Sequence, residues 1–235
     1  MQTSSFDNFS DDWWNKDGSM RMLYSMNQTR LLFILERLSN RYGKQILKNL
    51  KNKKILDLGC GGGFLSESLA TIGADITAID SSKKLIQAAK ERAKKKNLNI
   101  DYKSIGIKEI RKKKIKYDIV ISLEVIEHVA DYKSFLKDIF LSTKKNGLVI
   151  ISTINRNYLS YLTTILLAEK IFRLVPNGVH DWNMYIKPEE ILNVSKTFKF
   201  KLDKSTGMFP IPFYKNFQWI RTKNLNVNYI ISLKN

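Results

Sequence analysis

The spacing of apolar and polar positions changes near residue 54, and the new pattern predicts the centre of the fold. From there, short runs rich in isoleucine, valine and leucine alternate with stretches in which apolar residues recur every three or four positions. Such alternation is typical of a parallel sheet whose strands are joined by crossover helices. The predicted strands are residues 54–58, 75–79, 100–103, 118–123 and 148–153, and the predicted helices are residues 64–72 and 82–96.

The segments on either side of this core predict further layers of the same α/β domain, which we expect to span residues 1–235. Residues 1–50 predict a helical segment, in which Phe6, Phe9, Trp13 and Trp14 have the spacing of packing anchors on a short helix. Residues 155–187 interrupt the alternation and predict an inserted cap. The other predicted elements are helices at 27–38 and 188–195 and strands near 200–206 and 226–233.

The basic composition has two explanations, an acidic partner or codon bias, and does not decide between them. The 235 residues include 40 Lys and Arg against 22 Asp and Glu, a formal net charge of +18. Such a surface attracts nucleic acid or the anionic face of a bilayer, although codon bias also explains a chain rich in lysine, isoleucine and asparagine. The single cysteine, Cys60, excludes an internal disulfide and a multi-cysteine zinc site. With no apolar signal core and no run long enough to span a bilayer, we expect a cytoplasmic protein, docked on a membrane face if bound at all.

A glycine-rich loop follows the first predicted strand. Residues 57–63 read Asp-Leu-Gly-Cys-Gly-Gly-Gly, and glycines there allow a sharp turn and the close approach of a ligand. A dinucleotide fingerprint counted from Gly59 would need glycine where the chain has Phe64. Asp57 would repel a pyrophosphate but suits a cationic ligand, as methionine-type cofactors are.

Asp80 ends the second predicted strand, about 20 residues after Gly59, which is the spacing at which an acid binds ribose hydroxyls in nucleotide-binding α/β folds. Its alternative role is to cap the helix that follows. Together with the loop, it resembles the pattern of class I methyltransferases. We therefore expect Asp57, Gly59, Gly61 and Asp80 to bind S-adenosylmethionine.

Five further stretches narrow this resemblance. They are residues 57–68, Glu-Val-Ile-Glu-His-Val at 124–129, Ser-Thr-Ile-Asn-Arg-Asn at 152–157, residues 168–181, and Tyr-Ile-Lys-Pro-Glu-Glu at 185–190. These stretches resemble the ubiquinone biosynthesis O-methyltransferase family, and the similarity runs from Trp13-Trp14 to Val227-Asn228-Tyr229. It implies a Rossmann-like class I methyltransferase with a mostly parallel seven-stranded sheet and helices on both faces. The cofactor contacts that it implies are Arg30, Gly59, Asp80 and Leu123.

The resemblance also implies a reaction. The family methylates phenolic oxygens of polyprenylated catechol or quinol intermediates in ubiquinone biosynthesis, with S-adenosylmethionine as donor. It implies an anionic membrane surface and other ubiquinone-biosynthesis proteins as partners, a location on the inner membrane face, and no nucleic-acid partner. An RNA methyltransferase on the same cofactor fold is the alternative that the charge favours, but no Asn-Pro-Pro-Tyr motif follows the fourth predicted strand.

Glu124, Glu127 and His128 follow that strand at positions i, i+3 and i+4, so a helical turn would place them on one face. Two carboxylates and an imidazole there suit Mg²⁺, which would lower the pKa of a catechol, and the resemblance implies the same ion. Alternatively, His128 is a general base that Glu127 orients. In the third interpretation, the carboxylates bond the loop backbone and His128 packs. The candidate catalytic residues are therefore His128 and Glu127, and the candidate metal ligands are all three.

The predicted cap contains two features of its own. Residues 158–168 are apolar almost all round, which predicts either a core helix or a helix lying at a membrane interface beside the substrate's route of entry. His180 lies beside Asp181, and the pair either closes over the substrate or stabilises its loop.

Overall fold

One mixed sheet forms the centre of the computed structural model, which describes residues 6–48, 50–171, 178, 181–211 and 218–235. The order of its strands is β3-β2-β1-β4-β5-β8-β6-β7. The strands are β1 (Lys54–Leu58), β2 (Asp75–Asp80), β3 (Asp101–Ser104), β4 (Tyr117–Leu123), β5 (Thr143–Ile154), β6 (Lys201–Pro210), β7 (Trp219–Thr222) and β8 (Asn228–Lys234). The pairings among β1 to β5 are parallel, whereas β8 is antiparallel to β5 and β6 is antiparallel to β7 and β8.

Helices cover both faces of the sheet, as the alternating pattern predicts. They are α1 (Arg21–Tyr42), α2 (Phe64–Thr71), α3 (Lys83–Lys95), α4 (Ile107–Lys112), α5 (Tyr132–Ser142), α6 (Tyr158–Ser160) and α7 (Pro188–Thr197). Successive side chains of a strand point to opposite faces. Accordingly, Ile55 of β1 packs in the core with α1, α2 and α3, while Leu56 packs in the core with α4, α5 and α7. Each face of the sheet thus packs against its own layer of helices, which confirms the predicted fold class.

The structure departs from the sequence prediction in several elements. Seven strands were expected, but the described residues form eight, because β7 pairs with β6 as an added edge strand. The helices α4 and α5 were not predicted. The apolar stretch at 158–168 begins as α6 and continues as a π-helix over Tyr161–Ile171. Within the described ranges, no helix is both long and apolar enough to cross a membrane.

The parallel pairing explains where the predicted site residues meet. In parallel strands all carboxyl ends lie at one edge of the sheet, where ligands of open α/β folds bind. Asp80 is the last residue of β2, Leu123 the last of β4, and the glycine loop follows β1. The antiparallel strand β8 starts at this same edge, because Asn228 pairs with Ile154 at the end of β5.

Candidate active site

The loop after β1 has a backbone that requires glycine. Gly59, Gly61 and Gly63 have φ angles of 74°, 53° and 92°, in the left-handed region that residues with a Cβ rarely adopt. The backbone N–H groups of Gly59 and Cys60 both donate to the carbonyl oxygen of Ile79, at 2.8 and 3.1 Å. The loop is thereby fixed against the end of β2.

Protein side chains make the close approaches that these glycines permit. A Cβ at Gly61 would lie 2.4 Å from Cζ2 of Trp13, and one at Gly62 would lie 2.3 Å from Cδ1 of the same indole. A Cβ at Gly59 would lie 2.3 Å from a methyl group of Val125. The N-terminal segment therefore lies directly on the loop that was predicted to bind the cofactor.

Asp57 is buried beneath the loop. Only 3% of the residue is exposed, and Ser66 Oγ donates to its Oδ2 at 2.5 Å. Burial raises the pKa of Asp57 to about 6, against the Ser66 hydrogen bond, which lowers it, and with a further increase from the nearby Asp80. A cation bound next to Asp57 would stabilise the ionised form, so the carboxyl suits a positively charged ligand.

Asp80 joins the glycine loop to the segment that begins α3. Its Oδ2 accepts from the N–H of Gly61 in the loop, and its Oδ1 accepts from the N–H of Ser82 at the start of α3, each at 2.9 Å. Burial raises the pKa of Asp80, and these backbone donors oppose the increase. The carboxylate is thus oriented beside the loop.

Arg30 reaches the site from α1 and is almost completely buried, with 4% of the residue exposed. Its Nη2 forms an ion pair with Glu124 Oε1 at 3.1 Å. Glu124 is itself held by Ser152, whose Oγ donates to Oε1 at 2.6 Å, and by Asn228, whose Nδ2 donates to Oε2 at 3.2 Å. Four elements, α1, β4, β5 and β8, thereby meet at one carboxylate.

The Nε of Arg30 is buried and has no hydrogen-bond partner among the described residues. Burial lowers the pKa of Arg30, and the carboxylates of Glu124 and Glu127 oppose that change. An unpaired buried donor on a guanidinium is costly. The donor fits the carboxylate that a methionine-type cofactor carries.

Glu127 is 4% exposed, and Thr153 Oγ1 donates to its Oε2 at 2.8 Å. Burial raises the pKa of Glu127 well above its ordinary value, and the negative charge of Glu124 raises it further. Burial thus favours the neutral form of the acid next to the general-base candidate. His128 is half-buried, and the ring of Phe6 meets its imidazole edge-on at a centroid distance of 5.2 Å.

The expected arrangement of Glu124, Glu127 and His128 on one helical face is wrong. Glu124 lies before the short 3₁₀ turn Ile126–His128 and has a left-handed φ of 53°. Its two oxygens are occupied by Arg30, Ser152 and Asn228. In the part of the chain that the structure describes, no group of three His, Cys, Asp or Glu side chains is placed to hold a metal ion. The residues as arranged do not fit Mg²⁺.

The remaining predicted residues divide into two groups. Leu123 lies at the end of β4 and pairs with Ser152, beside the Arg30–Glu124 pair. Asp57, Gly59, Gly61 and Asp80 are joined through the loop, as described above. His180 lies outside the described residues.

Comparisons with known proteins identify the family of this chain. Residues 49–206 match a family model described as a methyltransferase domain. The ubiquinone biosynthesis O-methyltransferase of Pelagibacter ubique is 38% identical over 97% of this chain and 95% of its own length. The enzyme of the same name from Bradyrhizobium diazoefficiens is 34% identical over 98% of this chain and 90% of its own length.

The chain belongs to the ubiquinone biosynthesis O-methyltransferase family. It is therefore a methyltransferase that uses S-adenosylmethionine. The fold agrees with that of magnesium protoporphyrin IX methyltransferase from Synechocystis PCC 6803 with bound SAH, which superimposes with a TM-score of 0.70 at 20% identity over 99% of this chain and 94% of that one. The unpaired Nε of Arg30 and the buried acid Asp57 fit the carboxylate and the cationic groups of this cofactor.

Sequence reasoning missed the residues that hold the predicted ones in place. Ser152 and Asn228, which bind Glu124, lie in two stretches that resemble the family, Ser-Thr-Ile-Asn-Arg-Asn and Val-Asn-Tyr. The resemblance marked these stretches as part of the family pattern, but it did not predict that Ser152 and Asn228 bind Glu124. Trp13 was predicted as a packing anchor. It does pack, with Phe64 in a small apolar cluster, and it also covers the glycine loop.

Proposed function

We propose that this chain transfers the methyl group of S-adenosylmethionine to a phenolic oxygen of a polyprenylated catechol or quinol in ubiquinone biosynthesis. The observation that carries the proposal is the identity of 34% to 38% with relatives of that name over nearly the whole chain. These relatives match 97% and 98% of this chain. The RNA alternative rests on the shared fold and the net charge, neither of which identifies a substrate.

In this proposal the cofactor lies along the carboxyl ends of β1, β2 and β4. Asp80 would bind the ribose hydroxyls, because its carboxylate is already oriented by two backbone donors. Arg30 would bind the cofactor's carboxylate through its unpaired Nε. Gly59, Gly61 and Leu123 would line the binding path, with Asp57 beneath the cationic groups.

Methyl transfer is an in-line displacement, so the phenolic oxygen, the methyl carbon and the sulfur must be collinear. The phenol loses its proton to a base, the oxygen–carbon bond forms as the carbon–sulfur bond breaks, and a methyl ether and S-adenosylhomocysteine leave. We assign the base role to His128, which is half-buried at the end of β4. Glu127, the preceding residue, is the second candidate catalytic residue and would orient the imidazole.

A Mg²⁺ requirement needs the carboxylates of Glu124 and Glu127 to leave their present partners. Glu124 would have to release Arg30 and Asn228, and Glu127 would have to release Thr153. The proposed mechanism therefore involves no metal ion. A chelator in the assay tests this choice directly.

The apolar surface of the cap suits a substrate that resides in a membrane. Several large apolar side chains of α6 and the π-helix are exposed, from 36% for Leu166 to 88% for Tyr158; the others are Leu159, Tyr161, Leu162 and Ile171. Exposed apolar patches of this kind mark interaction sites. Together with the net charge of +18, they support docking on an anionic bilayer.

The function is tested by following methyl transfer from S-adenosylmethionine to a short-chain 2-polyprenyl-6-hydroxyphenol, with and without EDTA, beside reactions that contain bulk RNA. We expect the phenol to be methylated, with a rate that EDTA does not change. Activity that EDTA abolishes and Mg²⁺ restores would refute the metal-free scheme and retain the function. Methylated RNA beside an unmodified phenol would refute the function.

Membrane docking is tested by sedimentation with liposomes that contain anionic lipid. We expect the double substitution Leu162→Glu and Leu166→Glu to release the protein from the liposomes. The matched control is Leu32→Glu and Leu202→Glu, since these leucines are 57% and 45% exposed on other elements. Equal retention of both variants would contradict the proposed surface.

A further inference from the structure

The N-terminal segment at residues 6–14, called the strap below, bridges three parts of the site. Phe6 lies against the imidazole of His128, and Asp7 accepts a hydrogen bond from the hydroxyl of Ser82, next to Asp80. Trp14 Nε1 donates to the carbonyl oxygen of Gly62 in the glycine loop, at 3.0 Å. The strap therefore extends from the loop to the general-base candidate.

Two aromatic residues fix the strap to the loop. The indole of Trp13 lies across Gly61 and Gly62, with the six-membered ring nearer Gly61 and the pyrrole edge nearer Gly62. It also stacks on Phe64 at a centroid distance of 5.6 Å. The Arg92 guanidinium lies 3.6 Å from the centroid of the Trp14 ring, a cation–π contact that holds the strap from the side of α3.

The indole N–H of Trp13 distinguishes it from the other tryptophans. Trp14, Trp182 and Trp219 each donate to an acceptor, namely Gly62 O at 3.0 Å, Asn157 O at 3.1 Å and Ser25 Oγ at 3.0 Å. Trp13 is 6% exposed, and its Nε1 has no acceptor among the described residues. A buried indole N–H normally has a partner. A donor without one, on the loop where the cofactor is expected, indicates an acceptor that arrives with a ligand.

We propose that the strap is part of the cofactor site: it closes over S-adenosylmethionine, and Trp13 donates its indole N–H to a carboxylate or hydroxyl oxygen of the bound cofactor. Closure would also bring Phe6 against His128 and exclude water between the methyl donor and the base. Because the strap covers Gly61 and Gly62, the cofactor enters and leaves only when the strap opens. The inference rests on the cofactor placement proposed above.

The test compares two substitutions of the same kind. Trp13→Phe keeps an aromatic ring and removes the N–H, and Trp219→Phe makes the same change at a hydrogen bond between α1 and β7. We expect Trp13→Phe to weaken S-adenosylhomocysteine binding, measured by calorimetry, by about tenfold, and Trp219→Phe to change it less than twofold. Wild-type affinity in a folded Trp13→Phe variant would overturn the assignment of Trp13.

Asp80→Asn separates a failure of this inference from a failure of the cofactor placement. If Asp80→Asn loses cofactor affinity and Trp13→Phe does not, the placement stands and the strap has no role in binding. If neither variant loses affinity, the placement fails and the inference fails with it.

A second variant covers the case in which Trp13→Phe does not fold. Phe6→Ala leaves the Trp13 contacts in place and removes the ring that meets His128. We expect it to release S-adenosylhomocysteine several times faster than wild type in stopped-flow fluorescence, at an unchanged unfolding temperature. An unchanged release rate would overturn the closure of the strap over the cofactor.

Discussion

Replacing Asp57 by asparagine should stabilise the free protein and weaken its binding of the cofactor. The carboxyl is 3% exposed and has a pKa of about 6, chiefly because burial disfavours its ionised form. Asparagine has the same shape and still offers an oxygen to the hydroxyl of Ser66. The substitution therefore removes the cost of a buried charge with little change in packing.

The magnitude follows from the difference between the folded pKa and the ordinary value of 3.8. At 1.36 kcal/mol per pKa unit, ionised Asp57 costs the folded state about 3 kcal/mol at pH 8. Because the folded pKa is raised, the folded state binds more protons than the unfolded state between about pH 4 and pH 6. Wild type therefore loses stability as the pH rises through that window, and about half of the loss falls between pH 5 and pH 8.

Urea unfolding at pH 5 and pH 8 measures this effect. The stability difference between Asp57→Asn and wild type should be larger at pH 8 than at pH 5, by about 1 to 2 kcal/mol. Asp75→Asn is the matched control, since Asp75 lies exposed at the start of β2, and it should shift stability by less than about 0.5 kcal/mol at both pH values. A difference that does not grow with pH would refute the electrostatic account of Asp57.

Three further changes probe the other groups of the site. Asn228→Ala should weaken S-adenosylhomocysteine binding by about five- to tenfold in calorimetry, because Glu124 loses a donor that helps it to hold Arg30; Asn155→Ala, which removes a hydrogen bond of 3.0 Å to the loop before β8, should not. A loss of affinity in both variants would mean that the strand, rather than Glu124, is what matters. His128→Gln should lower kcat by ~10²–10⁴-fold at unchanged cofactor affinity, and a kcat near wild type would exclude His128 as the base. Arg30→Lys should raise the KM for S-adenosylmethionine more than it changes kcat, since lysine lacks the planar set of donors; an unchanged KM would contradict the role of Arg30.

The sequence predicted the fold best where apolar periodicity is long and bounded by turns. The strand β1 was predicted with its observed bounds, and β2 and α3 were each within about a residue. The helix α4 was not predicted because it has only six residues, two of them buried, which is too short for a clear helical period. The strand β7 was not predicted because it has four residues at the edge of the sheet and no buried side chain. An edge strand of that kind is set by its pairing with β6 and leaves no periodic signal.

Local motifs predicted the glycine loop and Asp80, whereas contacts between distant segments could not be predicted. The hydrogen bond between Asn228 and Glu124 joins residues 104 positions apart, and that between Trp14 and Gly62 joins residues 48 apart. An asparagine or a tryptophan in the sequence does not show which distant residue its side chain will bond. The helical face expected for Glu124, Glu127 and His128 failed for a local reason, because the left-handed φ of Glu124 turns the chain before the short helix begins.

The charges of the site explain why it suits S-adenosylmethionine rather than a dinucleotide, which the glycine loop alone does not. Four acids, Asp57, Asp80, Glu124 and Glu127, lie at one edge of the sheet near the buried guanidinium of Arg30. Burial or mutual repulsion raises the pKa of Asp57, Asp80 and Glu127. A dinucleotide would add negative charge to this arrangement. S-adenosylmethionine instead carries a sulfonium and an ammonium group, which favour the ionised acids, and one carboxylate, which suits Arg30. The same glycine loop therefore serves a cationic cofactor here because acids surround it, and the preference follows from the strands that place those acids rather than from the loop itself.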